Sequence, residues 1–193
     1  MIITIARQCG CGALHVGELF ATRLNLVLYT RQMLIDLAKQ KGALNEMRYF
    51  FEERAMDDFI MALSDNAEAS DDVKARFNKA FRNLIGNQDC IIIGRCGNSI
   101  FAHRRDLISV FLKGDRAQRI ANTANEEKIN LSEAEQFVTD TDDCRTQYHK
   151  YYTGLTWGDA NDYDLCIDSC RIGTQHTADI IEQYAKRIST AKQ

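Results

Sequence analysis

The amino-acid sequence predicts an α/β fold in which helices cover both faces of a five-stranded parallel sheet. Three observations support this prediction. Five short apolar segments have the length of strands, and stretches with helical periodicity separate them. One of the five, Cys90–Ile93, is a continuous apolar run bounded by Asp89 and Gly94. Single strands that alternate with helices are typical of parallel sheets, and uninterrupted apolar strands are typical of sheets buried on both faces.

The first part of the chain contains two predicted strands and two predicted helices. The apolar run Ile2–Ala6 is a buried strand candidate, and Leu26–Tyr29 is a second, shorter one. Between them, the segment Ala13–Leu24 has helical spacing of its apolar residues, which are Val16, Leu19, Phe20 and Leu24. The next predicted helix, Arg31–Lys41, is expected to end at Gly42, because glycine commonly follows a helix C-terminus.

The middle of the chain is predicted to be helical. Two helices, Leu44–Ser64 and Asp71–Ile85, are separated by the polar patch Asp65–Asp72, which we expect to be a loop. Ser70 or Asp71 is available to cap the second helix. Since no linker, repeat or low-complexity segment is visible, we interpret residues 1–193 as one domain with a helical insertion.

The second half of the chain again alternates strands with helices. After Cys90–Ile93, strands are predicted over Ile108–Leu112 and Tyr163–Ile167. Helices are predicted over Arg116–Asn125, from Ser132 to about Tyr151, and over Thr174–Ile188. Ser132 with Glu135 three residues later is a capping-box pattern, which indicates the start of a helix.

The composition is that of an ordinary globular protein and excludes several classes of partner. The net charge is -3 and the pI about 5.8, so nothing indicates nucleic-acid binding. No apolar stretch approaches the roughly 18 residues of a membrane span, and no signal-peptide pattern is visible. We therefore expect a cytoplasmic protein with no membrane partner. Its 7 cysteines are expected to be reduced thiols, and they lack the spacing of zinc ligands, so no metal site is predicted.

A glycine-containing loop, Gln8–His15, connects the first predicted strand to the first predicted helix. Backbone N–H groups at the start of a helix bind phosphate, and the helix dipole strengthens that binding. Gly10 and Gly12 allow the positive φ angles that such a loop requires. These residues alone leave two interpretations open, namely a phosphate-binding site and an ordinary tight turn between a strand and a helix.

Several stretches of the chain together resemble the cytidylate kinase-like family, a branch of the nucleoside monophosphate kinases with the P-loop fold. They are IARQCGCGALHVGELFA, LNLVLYTRQMLIDLA, CIIIGRCGNSIF, SVFLKGDRAQRI, DDCRTQYHKYYTGLTWGDANDYDLCIDS and the closing helix. They follow the order of the family and cover nearly the whole chain. The resemblance implies a three-layer α/β/α P-loop NTPase fold, with a helical acceptor-binding region at about 30–88 and a lid-like region at about 126–160.

The resemblance places the nucleotide phosphates in the first loop. Gly12 matches the last glycine of the P-loop, and the implied phosphate-binding residues are Gln8, Cys9, Gly10, Cys11, Gly12, Ala13, Leu14 and His15. In cytidylate kinases a lysine and a serine follow that glycine, whereas Ala13 and Leu14 stand there in this chain. The branch often has glycine and arginine at these positions, so the missing lysine fits the branch and Leu14 departs from it. Arg7, at the position of the first loop glycine, is a candidate to supply the charge.

Two arginines match positions that hold the acceptor in the resembled kinases. Arg95 directly follows a buried strand and matches an arginine that binds the acceptor phosphate, for which a guanidinium offers a planar fork of donors. Arg31 is placed like another acceptor-site arginine. The alternatives are a surface salt bridge for Arg95 and simple exposure to water for Arg31. Cys96 replaces the acidic residue that follows this arginine in cytidylate kinases, which leaves the base preference open.

Arginines of the lid-like region are the remaining catalytic candidates. In monophosphate kinases such arginines close over the phosphates and neutralise charge in the transition state. The resemblance implies this role for Arg119 or Arg145, in addition to Arg7. Asp142 and Arg145 are three residues apart, so an ion pair on one helix face is the alternative for Arg145.

The implied function is the ATP-dependent transfer of a phosphoryl group to a small acceptor such as a nucleoside monophosphate, with ATP and Mg²⁺ as cofactors. A second class stays open, a nucleotide-binding protein with impaired catalysis and a regulatory or partner-binding role. Its support is that Leu14 offers no oxygen to a metal and that Cys90–Arg95 ends without an aspartate. The expected partner is a nucleotide or a small phosphorylated acceptor, and the sequence does not decide between a monomer and a homodimer.

Overall fold

A computed structural model describes residues 1–51 and 67–190 of this chain. Its strands are β1 (Ile2–Arg7), β2 (Val27–Tyr29), β3 (Cys90–Ile93), β4 (Leu107–Lys113) and β5 (Leu165–Asp168). All neighbouring strands run in parallel, in the order β2-β3-β1-β4-β5. The predicted five-stranded parallel sheet is therefore confirmed.

Each of the five strands is followed along the chain by at least one described helix. The described helices are α1 (Ala13–Leu24), α2 (Arg31–Gln40), α3 (Leu44–Phe51), α4 (Ala67–Ile85), α5 (Gly97–Ile100), α6 (Arg116–Glu127), α7 (Leu131–Thr153) and α8 (Ser169–Thr190). A short 3₁₀ helix, Ala160–Asp162, precedes β5. No helix in the described part of the chain is both long enough and apolar enough to cross a membrane.

Two hydrophobic cores cover the two faces of the sheet. Successive residues of a strand point to opposite faces, so Ile2 and Ile92 belong to one core while Ile3 and Ile91 belong to the other. The first core contains residues of α2, α3, α4, α5 and α7, and the second contains residues of α1 and α8. This arrangement is the predicted three-layer α/β/α architecture, and it explains why the central strands are apolar throughout.

The parallel sheet brings distant loops together at one edge. The carboxyl ends of parallel strands lie on the same side of the sheet, which is where α/β folds bind their ligands. The segments that begin at Gln8 after β1, at Gly94 after β3 and at Ser169 after β5 therefore meet there. These three segments, together with α6 and α7, form the candidate site.

The helical middle of the chain differs from its prediction. The helix α3 covers the start of the predicted helix Leu44–Ser64, and residues 52–64 lie outside the described part of the chain. The helix α4 begins at Ala67, so the loop predicted over Asp65–Asp72 is wrong for residues 67–72. Ser70 and Asp71 lie inside α4 and do not cap it. The prediction relied on the polar character of this patch and overlooked that it contains two alanines and a glutamate, which have high helix propensity.

The start of α7 also differs from its prediction. Asn130 is the capping residue, because its side chain accepts a hydrogen bond from Glu133 N (3.0 Å) while the Glu133 side chain accepts one from Asn130 N (3.1 Å). The capping box predicted at Ser132 and Glu135 is therefore wrong by two residues. Both pairs have the same spacing, and the helix begins at the earlier one.

The last strand and helix begin at other residues than predicted. Tyr163 ends the 3₁₀ helix, and β5 starts at Leu165, which pairs with Val110. The helix α8 follows β5 without a loop, whereas the prediction began at Thr174. Gly173 has φ 80° and ψ 162° and interrupts the helical backbone, so the predicted start lies just after this interruption.

Candidate functional site

The loop after β1 is held from behind by three side-chain donors. Each donor bonds to the carbonyl oxygen of a different loop residue, and the three residues are consecutive. The bonds run from Arg119 Nη1 to the Cys9 oxygen (3.2 Å), from Asn122 Nδ2 to the Gly10 oxygen (2.9 Å) and from Ser169 Oγ to the Cys11 oxygen (2.9 Å). Two donors lie on α6 and the third begins α8.

These bonds determine where the N–H groups of the loop point. A trans peptide places its N–H opposite its C=O, so the N–H groups of Gly10, Cys11 and Gly12 face away from the three donors. Among the described residues, no acceptor pairs with these three N–H groups. The first N–H groups of α1 follow them, and helix geometry leaves those groups without an intrahelical acceptor. The loop therefore presents a row of unpaired donors at the positive end of a helix dipole.

Both loop glycines are required by their surroundings. Gly10 has φ 77°, and a Cβ at this position would overlap with the backbone carbonyl of Arg119. Gly12 has φ 64° and precedes α1, and a Cβ there would lie 2.8 Å from Thr174 Cγ2. The positive φ angles expected at these glycines are present, and the loop packs too closely on α6 and α8 to admit a side chain.

The unpaired donors open into a cleft of about 620 Å³, which we call the loop cleft. Every predicted phosphate-binding residue lines it, together with Arg7 and Arg145. Arg145 Nη1 donates to the Arg7 carbonyl (3.4 Å) and lies 3.9 Å from Asp142 Oδ1, so the ion pair considered for Arg145 is present as well. The fold thus places two of the three candidate catalytic arginines in the lining of the loop cleft.

Arg119 lies under the loop and does not line the loop cleft. Its side chain is 7% exposed and forms a 2.6 Å ion pair with Asp142, besides its bonds to the carbonyls of Cys9 and Gly114. Asp142 Oδ1 also accepts a hydrogen bond from Cys9 N (2.8 Å). The geometry of Arg119 is that of a residue that positions the loop.

A left-handed turn follows β3 and carries Arg95. Gly94, Arg95 and Cys96 have φ angles of 75°, 58° and 53°, which is unusual for the two residues that are not glycine. A Cβ at Gly94 would overlap with the guanidinium of Arg7, so the turn and the end of β1 are in direct contact. Arg95 is buried, and its guanidinium carbon lies 5.4 Å from the centre of the Tyr148 ring. The surface salt bridge considered for Arg95 does not fit this burial.

Arg31 and His15 are placed differently from Arg95. Arg31 Nε donates to the carbonyl of Phe51 (2.6 Å), and Arg31 does not belong to the described lining of the loop cleft. His15 lines the loop cleft on the first turn of α1, with a side chain that is 61% exposed and 3.9 Å from Glu18. The acceptor role of Arg31 and the phosphate role of His15 stay predictions.

The residues of the loop do not fit a magnesium ion held by the protein. Leu14 stands where P-loop kinases have a hydroxyl ligand, and its side chain is 50% exposed. Within residues 1–51 and 67–190 there is no group of three His, Cys, Asp or Glu that could hold a metal. Mg²⁺ needs few protein ligands when phosphates supply the others, so its binding at this loop would depend on the phosphates of a nucleotide.

The thiols of Cys11 and Cys170 are neutral. Burial, followed by the proximity of Cys170, raises the pKa of Cys11 to about 12. The Cys170 sulfur lies 4.0 Å from that of Cys11, and burial raises the pKa of Cys170 as well. A protonated thiol adds no negative charge to the loop, so these cysteines do not oppose the binding of an anion.

Three residues of this region, Asn122, Ser169 and His149, were missed in the sequence, and Asp142 was considered only as a partner of Arg145. Asn122 and Ser169 bond the loop carbonyls, Asp142 joins the loop to Arg119, and His149 lies beside Arg95 in a small cavity. Only two signals were available. Ser169 directly follows a strand at the ligand-binding edge of the sheet, and His149 lies four residues after Arg145, on the same face of one helix.

Comparison with solved structures shows a kinase-like fold. An uncharacterized protein from Eubacterium ventriosum ATCC 27560 is 24% identical, with a TM-score of 0.76 over 97% of this chain and 98% of that chain. A shikimate kinase from Bacteroides thetaiotaomicron is 10% identical, with a TM-score of 0.54 over 96% and 98% of the two chains. A gluconokinase from Sinorhizobium meliloti 1021 is 13% identical, with a TM-score of 0.54 over 99% and 97%. At these identities the likeness concerns the fold alone.

Comparison by sequence identifies the family. No curated protein matches the chain. The model of one family, described as cytidylate kinase-like, matches residues 2–171 and so spans the loop, the left-handed turn and both helices of the candidate site. The resemblance seen in the sequence is confirmed, and this chain belongs to the cytidylate kinase-like family.

Proposed function

We propose that this chain is a phosphotransferase that binds the phosphates of ATP in the loop cleft and transfers a phosphoryl group to a small acceptor. The observation that carries the proposal is the orientation of the loop peptides. Three consecutive carbonyls, from Cys9 to Cys11, are bonded from behind, so the N–H groups that follow them face the cleft. Converging backbone N–H groups at a helix N-terminus are suited to phosphate.

The two arginines of the loop cleft supply the charge that the loop itself lacks. Phosphoryl transfer depends mainly on positioning and on the stabilisation of charge that shifts toward the leaving group. Arg7 and Arg145 line the cleft, and we assign them the charge-neutralising role that a loop lysine has in other kinases. Since Ala13 replaces that lysine, we expect turnover below the usual kinase range of about 1–100 per second.

The acceptor belongs on the side of Arg95. The left-handed turn that carries Arg95 touches Arg7. An anion bound by Arg95 would therefore lie next to phosphates bound by the loop. We propose a nucleoside monophosphate as the acceptor, bound with the help of the region 30–88, and closure over both ligands by the region 126–160. Shikimate and gluconate are the acceptors to test beside it, because two proteins of the same fold are named as kinases of these compounds.

The test separates binding from turnover. Calorimetry with ATP and with pyrophosphate measures binding, and a coupled assay with ATP, magnesium and each acceptor measures transfer. Arg145→Ala should lower turnover, whereas Arg116→Ala should not, because Arg116 is an exposed arginine that bonds Glu135 and Thr139 away from the cleft. Ala13→Lys combined with Leu14→Ser should raise turnover.

Each result has a distinct meaning. If neither ATP nor pyrophosphate binds at millimolar concentration, the proposal that the loop binds phosphate is refuted. Binding without transfer, in the natural protein and in the Ala13→Lys, Leu14→Ser variant alike, would identify a nucleotide-binding protein without kinase activity. Turnover at the usual kinase rate that survives Arg145→Ala and Arg7→Ala would refute the assignment of charge to these arginines.

A further inference from the structure

Two thiols from distant parts of the chain meet behind the loop. Cys11 lies in the loop and is 3% exposed, whereas Cys170 lies in the first turn of α8 and is half-buried. Their sulfur atoms are 4.0 Å apart, which is van der Waals contact. Because the two residues are 159 positions apart in the chain, only the folded protein brings these sulfurs together.

The neighbours of Cys170 hold its sulfur near the loop. The sulfur lies 3.7 Å from the Gly10 carbonyl oxygen and 3.7 Å from Asn122 Nδ2. A Cβ at Gly114 would overlap with this sulfur, so the lack of a side chain at Gly114 makes room for it. This packing restricts the rotation of the Cys170 side chain and keeps its thiol beside Cys11.

The turn that carries Cys170 is separated from the rest of α8 by Gly173. This glycine has φ 80° and ψ 162°, a backbone conformation that essentially only glycine adopts. A disulfide has a sulfur–sulfur distance of about 2.0 Å, so the two sulfurs would have to approach each other by about 2 Å. Small rotations of both side chains, and of the segment 169–172 about Gly173, would cover this distance.

We propose that Cys11 and Cys170 form a reversible disulfide that lowers the affinity of the loop for phosphate. The oxidant is a low-molecular-weight disulfide. The thiolate of the half-buried Cys170 attacks one sulfur of this oxidant, and one small thiol leaves. Cys11 then attacks the Cys170 sulfur of the mixed disulfide, and the second small thiol leaves. The protons of the two cysteines end on the two small thiols, so two protein thiols are oxidised and one small disulfide is reduced.

The surroundings of the two thiols favour a disulfide that lasts once it has formed. Burial raises the pKa of Cys11 to about 12 and raises the pKa of Cys170 as well, so neither thiolate is stabilised in the reduced protein. Disulfides are strong oxidants when their reduced form is stabilised, and thiols of high pKa are poor leaving groups. We therefore expect slow formation, over minutes to hours, and resistance to reduction.

The disulfide would change the loop in two ways. An oxidised Cys170 has no thiol proton, so the Gly10 carbonyl would keep only the donor from Asn122. The approach of the sulfurs would also displace Cys11, whose N–H is one of the donors that face the loop cleft. The effect on phosphate rests on the proposed function, whereas disulfide formation does not. Because coupling between sites is reciprocal, bound phosphate should oppose the disulfide by the same factor.

Glutathione redox buffers at about pH 8 test the covalent step. After equilibration, an acid quench and alkylation of the remaining thiols under denaturing conditions, mass spectrometry should find the peptides of Cys11 and Cys170 joined. The same peptides should stay separate in Cys11→Ser and in Cys170→Ser. Cys166→Ser is the matched control, because Cys166 is an exposed cysteine of β5 whose loss should leave the disulfide intact.

Calorimetry with pyrophosphate tests the effect on the loop. Oxidation should weaken pyrophosphate binding by about tenfold in the natural protein and in Cys166→Ser, a factor within the usual range of coupling between sites. Oxidation should leave the affinity of Cys170→Ser unchanged. Saturating pyrophosphate should in turn make the midpoint potential of the disulfide less negative by about 30 mV, which is tenfold for a two-electron couple.

The outcomes distinguish this inference from the proposed function. Cys11 and Cys170 that stay reduced, or that bind only glutathione, in the most oxidising buffer would overturn the inference. A disulfide that forms without changing pyrophosphate affinity would overturn its effect on the loop. A reduced protein that does not bind pyrophosphate would refute the proposed function and the effect on phosphate together, while joined peptides would still support the disulfide.

Discussion

Replacing Asp142 by asparagine tests the ion pair that supports the loop. Asp142→Asn removes the negative charge but keeps an oxygen that can accept from Cys9 N, so its main effect is that the Arg119 charge loses its carboxylate partner. The side chain of Asp142 is 17% exposed and that of Arg119 is 7% exposed, and Arg119 Nη1 lies 2.6 Å from Asp142 Oδ2. Breaking such a buried pair costs about 3–5 kcal/mol. For a chain of this size, each kcal/mol lowers Tm by about 2–4 °C, so we expect a decrease of roughly 6–20 °C.

Circular dichroism during heating and during urea titration measures this decrease. The matched control is Asp143→Asn, the next residue of α7, which is exposed and should change the free energy of unfolding by less than about 0.5 kcal/mol. A Tm for Asp142→Asn equal to that of the control would show that the pair contributes no more than a surface ion pair. The physical account of the loop support would then be wrong.

Three further predictions concern the backbone, the pH dependence of stability and a thiol. Gly10→Ala should lower the free energy of unfolding by about 1–2 kcal/mol because residue 10 has a φ of 77°. The decrease should be larger still because a Cβ there would overlap with the backbone of Arg119. Gly42 has φ 69° and open space around it, so Gly42→Ala should show only the decrease that the positive φ causes. Urea unfolding of both variants measures the difference. The Arg104 guanidinium holds the pKa of Asp106 well below its usual range, so this pair stabilises the fold above about pH 4 and loses its effect in stronger acid. Asp106→Asn should therefore lower Tm near neutral pH and converge with the natural protein as the pH falls. Burial raises the pKa of Cys11 to about 12, so iodoacetamide at about pH 8 should modify it only after unfolding in urea, which mass spectrometry can follow.

The strands were predictable because burial leaves a direct trace in the sequence. The runs around Ile3, Ile92 and Val110 are apolar because both of their faces are covered. The error at Tyr163 has a related cause. The centres of the Tyr163 and Phe111 rings are 5.1 Å apart, so Tyr163 packs in an apolar environment although its backbone does not pair in the sheet. Apolar character reports burial, and only backbone pairing makes a strand.

The loop was predictable and its supports were not. Gly10 and Gly12 are visible as a local pattern after a strand, whereas Asn122 and Ser169 act through single hydrogen bonds to carbonyls far away in the chain. Arg119 was recognised as important, but the sequence could not show that its side chain points under the loop. Residue type and spacing indicate which groups are available, and tertiary packing decides which way they point.

The bonds behind the loop have a consequence for the order in which the chain folds. Their donors follow the loop residues they hold by 110, 112 and 158 positions. A nascent chain that ends before α6 contains the whole loop and none of these donors, so it has no means of orienting the peptides. The proposed anion affinity would therefore be complete only after α6 and α8 have docked, and the same loop grafted onto another scaffold would lack the bonds that orient its peptides. A phosphate ligand would bind the native state alone and would stabilise it by mass action against every partly folded form.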